Sequence, residues 1–346
     1  MQLDAMSMGL SLRDAQRYAS DVEAAGFDGL WFTEGGRTAY LGAGAAALAT
    51  ERLTIGTGIA VAFPRSPMVT AAAAWELAEA TQGRFVLGLG TQVRAHIERR
   101  YDAEFSHPGP RLREYVQAVK AIFAAFQGEA KLDFHGDHYD LDLLPPMWSP
   151  GPIDHPDVPV YIAGVRPWML RACGAVAEGL HVHPLHSRRY LDEVIRPAVA
   201  DGAEDAGRSP DDITLACPVL TIVGDTDEEQ EQWRQAARFQ LAFYGSTRTY
   251  RGVFEQHGWD GTSERLHELQ KAGDLTAMAA TITDEMLDAY AVTSDWNGLA
   301  DALTARYRGV DQPVRVICYF VGTAWREDPS TLERWTQVAA AFPTAP

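Results

Sequence analysis

Several side chains of this 346-residue chain have the types and spacing needed for proton transfer, anion binding or cofactor contact. Glu34 follows the short apolar run Phe27 to Phe32 and is a candidate proton donor or acceptor. Pairing with a nearby arginine, or capping the next helix, is the structural alternative. Further on, Gly88-Leu-Gly90 runs into Thr91, Gln92, Val93, Arg94, Ala95 and His96, with Arg99 and Arg100 just beyond. Glycines let the backbone turn sharply and approach a ligand, and three arginines within seven residues of this loop favour an anion site, the structural alternative being a turn followed by a solvated helix face. The Gly-x-Gly has no third glycine at the spacing a dinucleotide fingerprint requires. His181 and His183 occupy alternate positions and so face one side of a strand, with His186 close by. A metal centre needs a third ligand and usually a carboxylate, so the pair is read as the rim of a polar pocket. No Gly-x-Ser-x-Gly elbow and no Walker A loop occurs.

These residues are useful only if the elements around them bring them together. From the N-terminus, short apolar runs alternate with stretches of helical period. Strands are expected at 2–6, Phe27–Phe32, Leu53–Ile59, Arg84–Leu89, Val158–Ala163, Leu180–Val182, Ile213–Val223 and Val314–Phe320. The intervening helices include one capped by Ser11, in which Leu12, Ala15, Tyr18, Ala19, Val22 and Ala25 recur at helical spacing. Serial strand-then-helix order implies parallel strands with right-handed crossovers. Eight such units in one chain predict an α/β fold, a closed (β/α)8 TIM barrel spanning 1–346 as a single domain. Insertions are expected after the fourth strand (about 129–157, with a hairpin around Phe134 and Tyr139) and after the seventh (about 245–285). Active-site groups of a barrel come from the C-terminal ends of its strands. That rule gathers Glu34, Arg37, Tyr40, Gly58, Ile59, Phe63, the Gly90–Arg100 loop, Gly164, Val165, Arg166, His183 and His186 at one mouth.

Composition narrows the function. With 30 Lys+Arg against 47 Asp+Glu the formal charge is −17, a field that repels nucleic acid and anionic lipid but admits one small anion at a local arginine cluster. The hydrophobic fraction of 46% and aromatic fraction of 10% supply a large core and exclude a disordered or disulfide-scaffold chain. Cys173, Cys217 and Cys318 lie far apart and read as free thiols of a reducing compartment. With no apolar run long enough to span a membrane and no basic-then-apolar leader pattern, a cytoplasmic location is expected.

With the segments placed, the chain resembles the luciferase-like monooxygenase superfamily. The resemblance is carried by Leu53-Thr-Ile-Gly-Thr-Gly-Ile59 running on to Arg65-Ser-Pro67, by Gly83-Arg84-Phe85-Val-Leu-Gly88-Leu-Gly90, and by Val160-Tyr-Ile-Ala-Gly164 with Ala177-Glu178-Gly179. Gly90 to Arg100 and Ala242-Phe-Tyr244-Gly-Ser-Thr247 are similar to a mycobacterial-type subfamily using coenzyme F420. This resemblance implies a cis peptide at Gly58–Ile59 against the cofactor ring. It implies cofactor contacts from Gly58, Ile59, Ala60, Thr91, Gln92, Arg94 and His96, and backbone donors to a phosphate from Ala163, Gly164 and Val165. It also implies hydride transfer to or from a small organic substrate, with Glu34 first and His96 second as acid/base, and a homodimer. Reduced FMN with oxygen, as in other members, is the alternative, and a barrel without activity is a third. A substrate pocket is expected from Arg37, Tyr40, Phe63, His183, Tyr244 and Trp259. Sugar-phosphate dehydrogenases of this branch carry an acidic residue followed directly by histidine where this chain reads Glu34-Gly35, so that activity is not implied.

Overall fold

The computed structural model describes residues 1–343. Eight parallel strands close into a barrel: β1 (Gln2–Ser7), β2 (Gly29–Phe32), β3 (Thr54–Thr57), β4 (Phe85–Gly90), β5 (Val160–Gly164), β6 (Gly179–Val182), β7 (Thr214–Val223) and β8 (Val314–Cys318). Each pairs with its successor, and β8 returns to β1, with Gln2 beside Arg315 and Ala5 beside Cys318. The helices between them begin where local chemistry dictates. Ser11 accepts the Asp14 N–H to cap the helix Leu12–Ala24, and Ser66 caps Pro67–Ala80 with proline at its first position.

Two short strands lie outside the expected eight. After β3 the chain leaves the sheet at a cis Gly58–Ile59 peptide and returns as Ala60–Val61, which pairs with Leu89 and Gly90. The expected strand to Ile59 is therefore interrupted. Ala291–Ser294, outside the strands expected from sequence, forms a strand on Leu220–Val223. The reason is the length of β7: its partners β6 and β8 reach only to Ala216 and Val219, leaving a free edge that Ala291–Ser294 covers. Between the helix Pro108–Gln127 and β5, Phe134–His135 and Asp140–Leu141 make an antiparallel hairpin. Helices fill most of the stretch between Gly245 and Tyr290.

Residues in register on adjacent strands face the same side of a sheet. The interior therefore collects Asp4 with Gly29 and Ile317, Trp31 with Met6 and Gly56, and His181 with Ala163 and Ala216. Three large interior side chains are each seated over a glycine. A Cβ on Gly56 would stand 2.5 Å from the Trp31 ring, one on Gly179 2.6 Å from Tyr161, and one on Gly29 2.6 Å from the Arg315 guanidinium. Arg315 forks onto Asp4 through Nε (2.6 Å) and Nη2 (2.9 Å), and the Trp31 indole N–H donates to the same carboxylate at 2.7 Å. Asp4 has no exposed surface.

Removing one partner of such a pair leaves an uncompensated buried charge. R315M is expected to lose about 3–5 kcal/mol in urea unfolding, and the double change D4L/R315M to recover most of it. A loss below about 1 kcal/mol in the single variant would show that the pair does not brace the barrel.

Candidate active site

Seven of the eight strands end at one cleft of about 670 Å³, with contributions from Met6, Thr33, Gly58, Gly90, Ala163, His181 and Tyr319 or their neighbours. The eighth, β7, contributes through the helix Asp227–Gly245 that follows it, which brings Phe243 and Tyr244. The volume is that of an organic-ligand pocket. Trp31 and Tyr161 fill the barrel below, their rings 5.8 Å apart.

The two sides of this mouth differ. On the side of β3, β4 and β5 the lining is small or backbone-rich: Gly58, Ile59, Gly90, Thr91, Ala163 and Gly164. Added atoms would not fit there. A Cβ on Gly90 would stand 2.7 Å from the Ile59 side chain, and one on Gly58 2.6 Å from Nε2 of His181. That Nε2 is buried without a hydrogen-bond partner. Gln92 takes a left-handed conformation (φ 57°), and its own Oε1 accepts the Val93 N–H at 2.9 Å. Val165 and Arg166 close this side as the lead-in to the helix Pro167–Val176.

The opposite side is aromatic. His183 packs against Tyr244 and Tyr250 at ring separations of 4.7 and 4.5 Å, and the hydroxyls of Tyr244 and Tyr319 are hydrogen-bonded. Burial pushes Tyr319 up to about 12 and Tyr244 well above its ordinary value, so both phenols are neutral. The histidines near this wall are also held neutral. Burial lowers His181 to about 4; burial and then His181 lower His183 to about 3; burial and then Arg306 lower His186 to about 3.

Glu34 reaches the cleft with a side chain only 4% exposed. Its carboxylate accepts from Arg65 at 2.5 and 3.0 Å and from the Val61 N–H at 2.7 Å. With three donors engaged, it braces the chain as it returns to the barrel after β3. Proton transfer through it would first need Arg65 to move aside.

Of the residues expected at the site, the cleft gathers Glu34, Gly58, Ile59, Thr91, Gln92 and His96, together with Ala163, Gly164, Val165, His183 and Tyr244. Six others lie outside its lining. Arg94 pairs with Glu98 one helical turn on and lies over Phe105. Arg37 turns back to the Gly9 carbonyl. Tyr40 lies under the Arg65 guanidinium, and Phe63 packs against Phe105 and Arg111. Trp259 stacks on His257 and meets Tyr290, and Ala60 is fully buried in the strand after the cis peptide. Nearness to a strand end selects Arg37, Tyr40 and Phe63, but their side chains turn elsewhere. His186 also turns away, bonded to Tyr307 and to the His183 carbonyl. Sequence reasoning missed Met6, Tyr319, Tyr250 and Gln270. Tyr319 immediately follows β8, so the strand-end rule could have found it, whereas Tyr250 and Gln270 lie among the helices after β7 and gave no signal. Among the described residues, no group of three His, Cys, Asp or Glu is placed to hold a metal ion. Among the described residues, no helix is long and apolar enough to cross a membrane.

Comparison with known proteins gives a consistent pattern. The family model for luciferase-like monooxygenases matches residues 2–312. An uncharacterised protein of Mycobacterium tuberculosis is 44% identical over 84% of this chain and 85% of its own length. The 5,10-methylenetetrahydromethanopterin reductase of Archaeoglobus fulgidus is 28% identical over 81% of this chain and 82% of its own. Among solved structures, the coenzyme F420-dependent tetrahydromethanopterin reductase of Methanopyrus kandleri superposes with a TM-score of 0.77 at 19% identity, covering 99% of this chain and 98% of that one. A type II Baeyer-Villiger monooxygenase of Pseudomonas putida, solved with FMN, has a TM-score of 0.68 at 15% identity, with both chains covered in full.

The three neutral histidines tie stability to pH. Their folded values lie below the ordinary 6.5, so the unfolded chain binds more protons between about 3–4 and 6.5. Their contribution is complete above 6.5 and is lost as pH falls through that window, by about 1.4 kcal/mol per pH unit for each proton taken up. The urea midpoint is expected to drop between pH 7 and pH 5. A midpoint constant over that range would show the rings to be already protonated in the folded protein.

Proposed function

The chain belongs to the luciferase-like monooxygenase family, and from that premise we propose that it is a coenzyme F420-dependent oxidoreductase acting on a small organic substrate. The observation that carries the reading is the division of the cleft into a small-residue wall and an aromatic wall. A flat tricyclic ring needs a face on which no side chain intrudes, and Gly58, Gly90 and Ala163 supply one. Gly164, Val165 and Arg166 precede the ten-residue helix Pro167–Val176. Backbone N–H groups opening a helix, with an arginine beside them, suit the phosphate of the cofactor tail. The naming of F420 for the reductase of Methanopyrus kandleri supports the same choice.

When bound, the deazaflavin supplies the hydride chemistry at its carbon 5. The chain has to position the reactants and exclude water. The small-residue wall would fix the ring, and the aromatic wall would hold the substrate against its open face at reacting distance. Glu34, clamped by Arg65 and Val61 N–H, would keep the segment after β3 in place under the ring. His96, exposed on the short helix Arg94–Arg99 at the cleft edge, has access to solvent and would serve as a route for protons.

The direct test is a binding titration of the purified protein with F420 and, separately, with FMN, followed by tryptophan fluorescence. Trp31 lies beneath the cleft. F420 is expected to quench it with a dissociation constant of about micromolar order, and FMN to bind far more weakly. Tight FMN binding with none for F420 would overturn this reading in favour of an oxygen-using flavin monooxygenase.

A further inference from the structure

The aromatic wall contains a set of donors to which the cofactor reading gives no role. Nδ1 of His183 accepts the backbone N–H of Leu185 at 3.1 Å. A neutral imidazole whose Nδ1 is an acceptor carries its proton on Nε2, so the local fold fixes the tautomer. Tyr244 and Tyr250 hold the ring between them, and all three side chains line the cleft. Beside it, the hydroxyls of Tyr244 and Tyr319 share one hydrogen bond. Two hydroxyls joined by one bond retain one proton to donate. The wall thus offers two neutral donors, His183 Nε2–H and a tyrosine O–H, and its own side chains carry no charge.

The charged side chains of the lining are engaged or lie at a different edge. Glu34 is bound to Arg65, Arg100 donates to the Gly35 carbonyl, and Arg166 follows β5. Around His183 the titratable groups are Tyr244 on the helix Asp227–Gly245, Tyr250 on the turn Arg248–Tyr250, His181 on its own strand and His186 on the following loop. None is a carboxylate able to draw a proton onto the ring. Its depressed pKa agrees with this: the ring does not become a cation that could receive an anion.

Resting on the reading of the cleft as a hydride-transfer site, we infer that His183 and the Tyr244–Tyr319 pair form a neutral two-donor subsite for an uncharged substrate oxygen, a carbonyl in the oxidised substrate and a hydroxyl in the reduced one. A carbonyl oxygen has two lone pairs and takes both donors. A carboxylate placed there would give up its hydration with no cation to replace it. The subsite therefore selects neutral carbonyl or alcohol compounds over carboxylates of the same shape.

The test uses the full chain labelled with 15N-histidine, alone and with saturating F420, and two probes of similar shape, cyclohexanone and cyclohexanecarboxylate. Cyclohexanone is expected to shift the His183 Nε2–H resonance and to bind at least about tenfold more tightly than the carboxylate, a difference of about 1.4 kcal/mol. His183→Phe should abolish the response and weaken ketone binding about tenfold. His183→Gln, which returns an N–H near the position of Nε2, should recover part of it. Tyr319→Phe provides a second variant, expected to weaken ketone binding while leaving the Nδ1 resonance unmoved. Circular dichroism spectra identify any variant that fails to fold. Carboxylate binding as tight as that of the ketone, or ketone binding unaltered in both His183→Phe and Tyr319→Phe, overturns the subsite. F420 titration of the same samples separates the two readings. If F420 binds but the ketone leaves His183 unmoved, only the subsite fails. A ketone-induced His183 shift in protein that takes up no F420 upholds the subsite and removes the cofactor assignment alone.

Discussion

The interior of this barrel has to be full at one level and open at the next, and packing at glycine is what makes both possible. Trp31, Tyr161 and Arg315 fill the core because Gly56, Gly179 and Gly29 on nearby strands leave no Cβ in their way. Nearer the mouth the pattern reverses: Gly58, Gly90 and Ala163 line the cleft without bulk of their own, and the His181 ring fills the space a side chain on Gly58 would need. Because side chains alternate along a strand, these levels are set by register. A one-residue slip of β3 would turn Gly56 and Gly58 outward and send Ile55 and Thr57 into the space occupied by Trp31 and the cleft. The buried Asp4–Arg315 pair acts at the same level. It joins β1 to β8, where the ring of strands closes, and holds the Trp31 indole by its N–H.

That floor carries its order upward. Trp31 supports His181 edge-on at 5.5 Å, and His181 in turn stands where a side chain on Gly58 would have to go. The position of the segment after β3 is therefore determined from below by ring packing and from the side by the Glu34–Arg65 clamp. The cleft wall built from it is rigid without contributing side-chain bulk, a suitable surface for a flat ligand. The aromatic wall is organised differently. Its groups come from β6, β8 and the helices after β7, elements that meet only in the folded barrel.

The same contrast explains what could be read from sequence. Alternation of short apolar runs with helical stretches is a local property, and it located all eight barrel strands and most of the helices. The strand-end rule then placed Glu34, Gly58, Thr91, Gly164 and His183 at one mouth, because a residue at the end of a barrel strand has few other places to go. The rule weakens with distance along the loop. Arg37, Tyr40 and Phe63 are only a few residues further on, yet each finds a partner away from the cleft: the Gly9 carbonyl, Arg65 and Phe105. Arg94 was grouped with an anion site on charge alone, and a glutamate four residues later claims it. Ala291–Ser294 was invisible for another reason. Nothing in four residues marks them as a strand, and only the overhang of β7 makes them one.

The chemistry of the mouth follows from where charge has been allowed to remain. Its one nearly buried carboxylate, Glu34, is saturated by two arginine nitrogens and a backbone N–H. Acting as a base would mean giving up hydrogen bonds made to its ionised form. The histidines around His183 are neutral at physiological pH because burial disfavours their charged form. Hydride transfer to a carbonyl moves negative charge onto oxygen, and a fixed neutral donor answers that developing charge better than it does a neutral ground state. His183, with its tautomer set by Leu185 and its ring held by two tyrosines, needs little reorganisation to give such a hydrogen bond. In the proposed reaction a proton consumed at the substrate oxygen would be replaced from solvent, and His96 and Arg100 are exposed residues of the cleft lining. The labour would then be divided between a wall of neutral donors that meets developing charge and a solvent-exposed rim that restores protons.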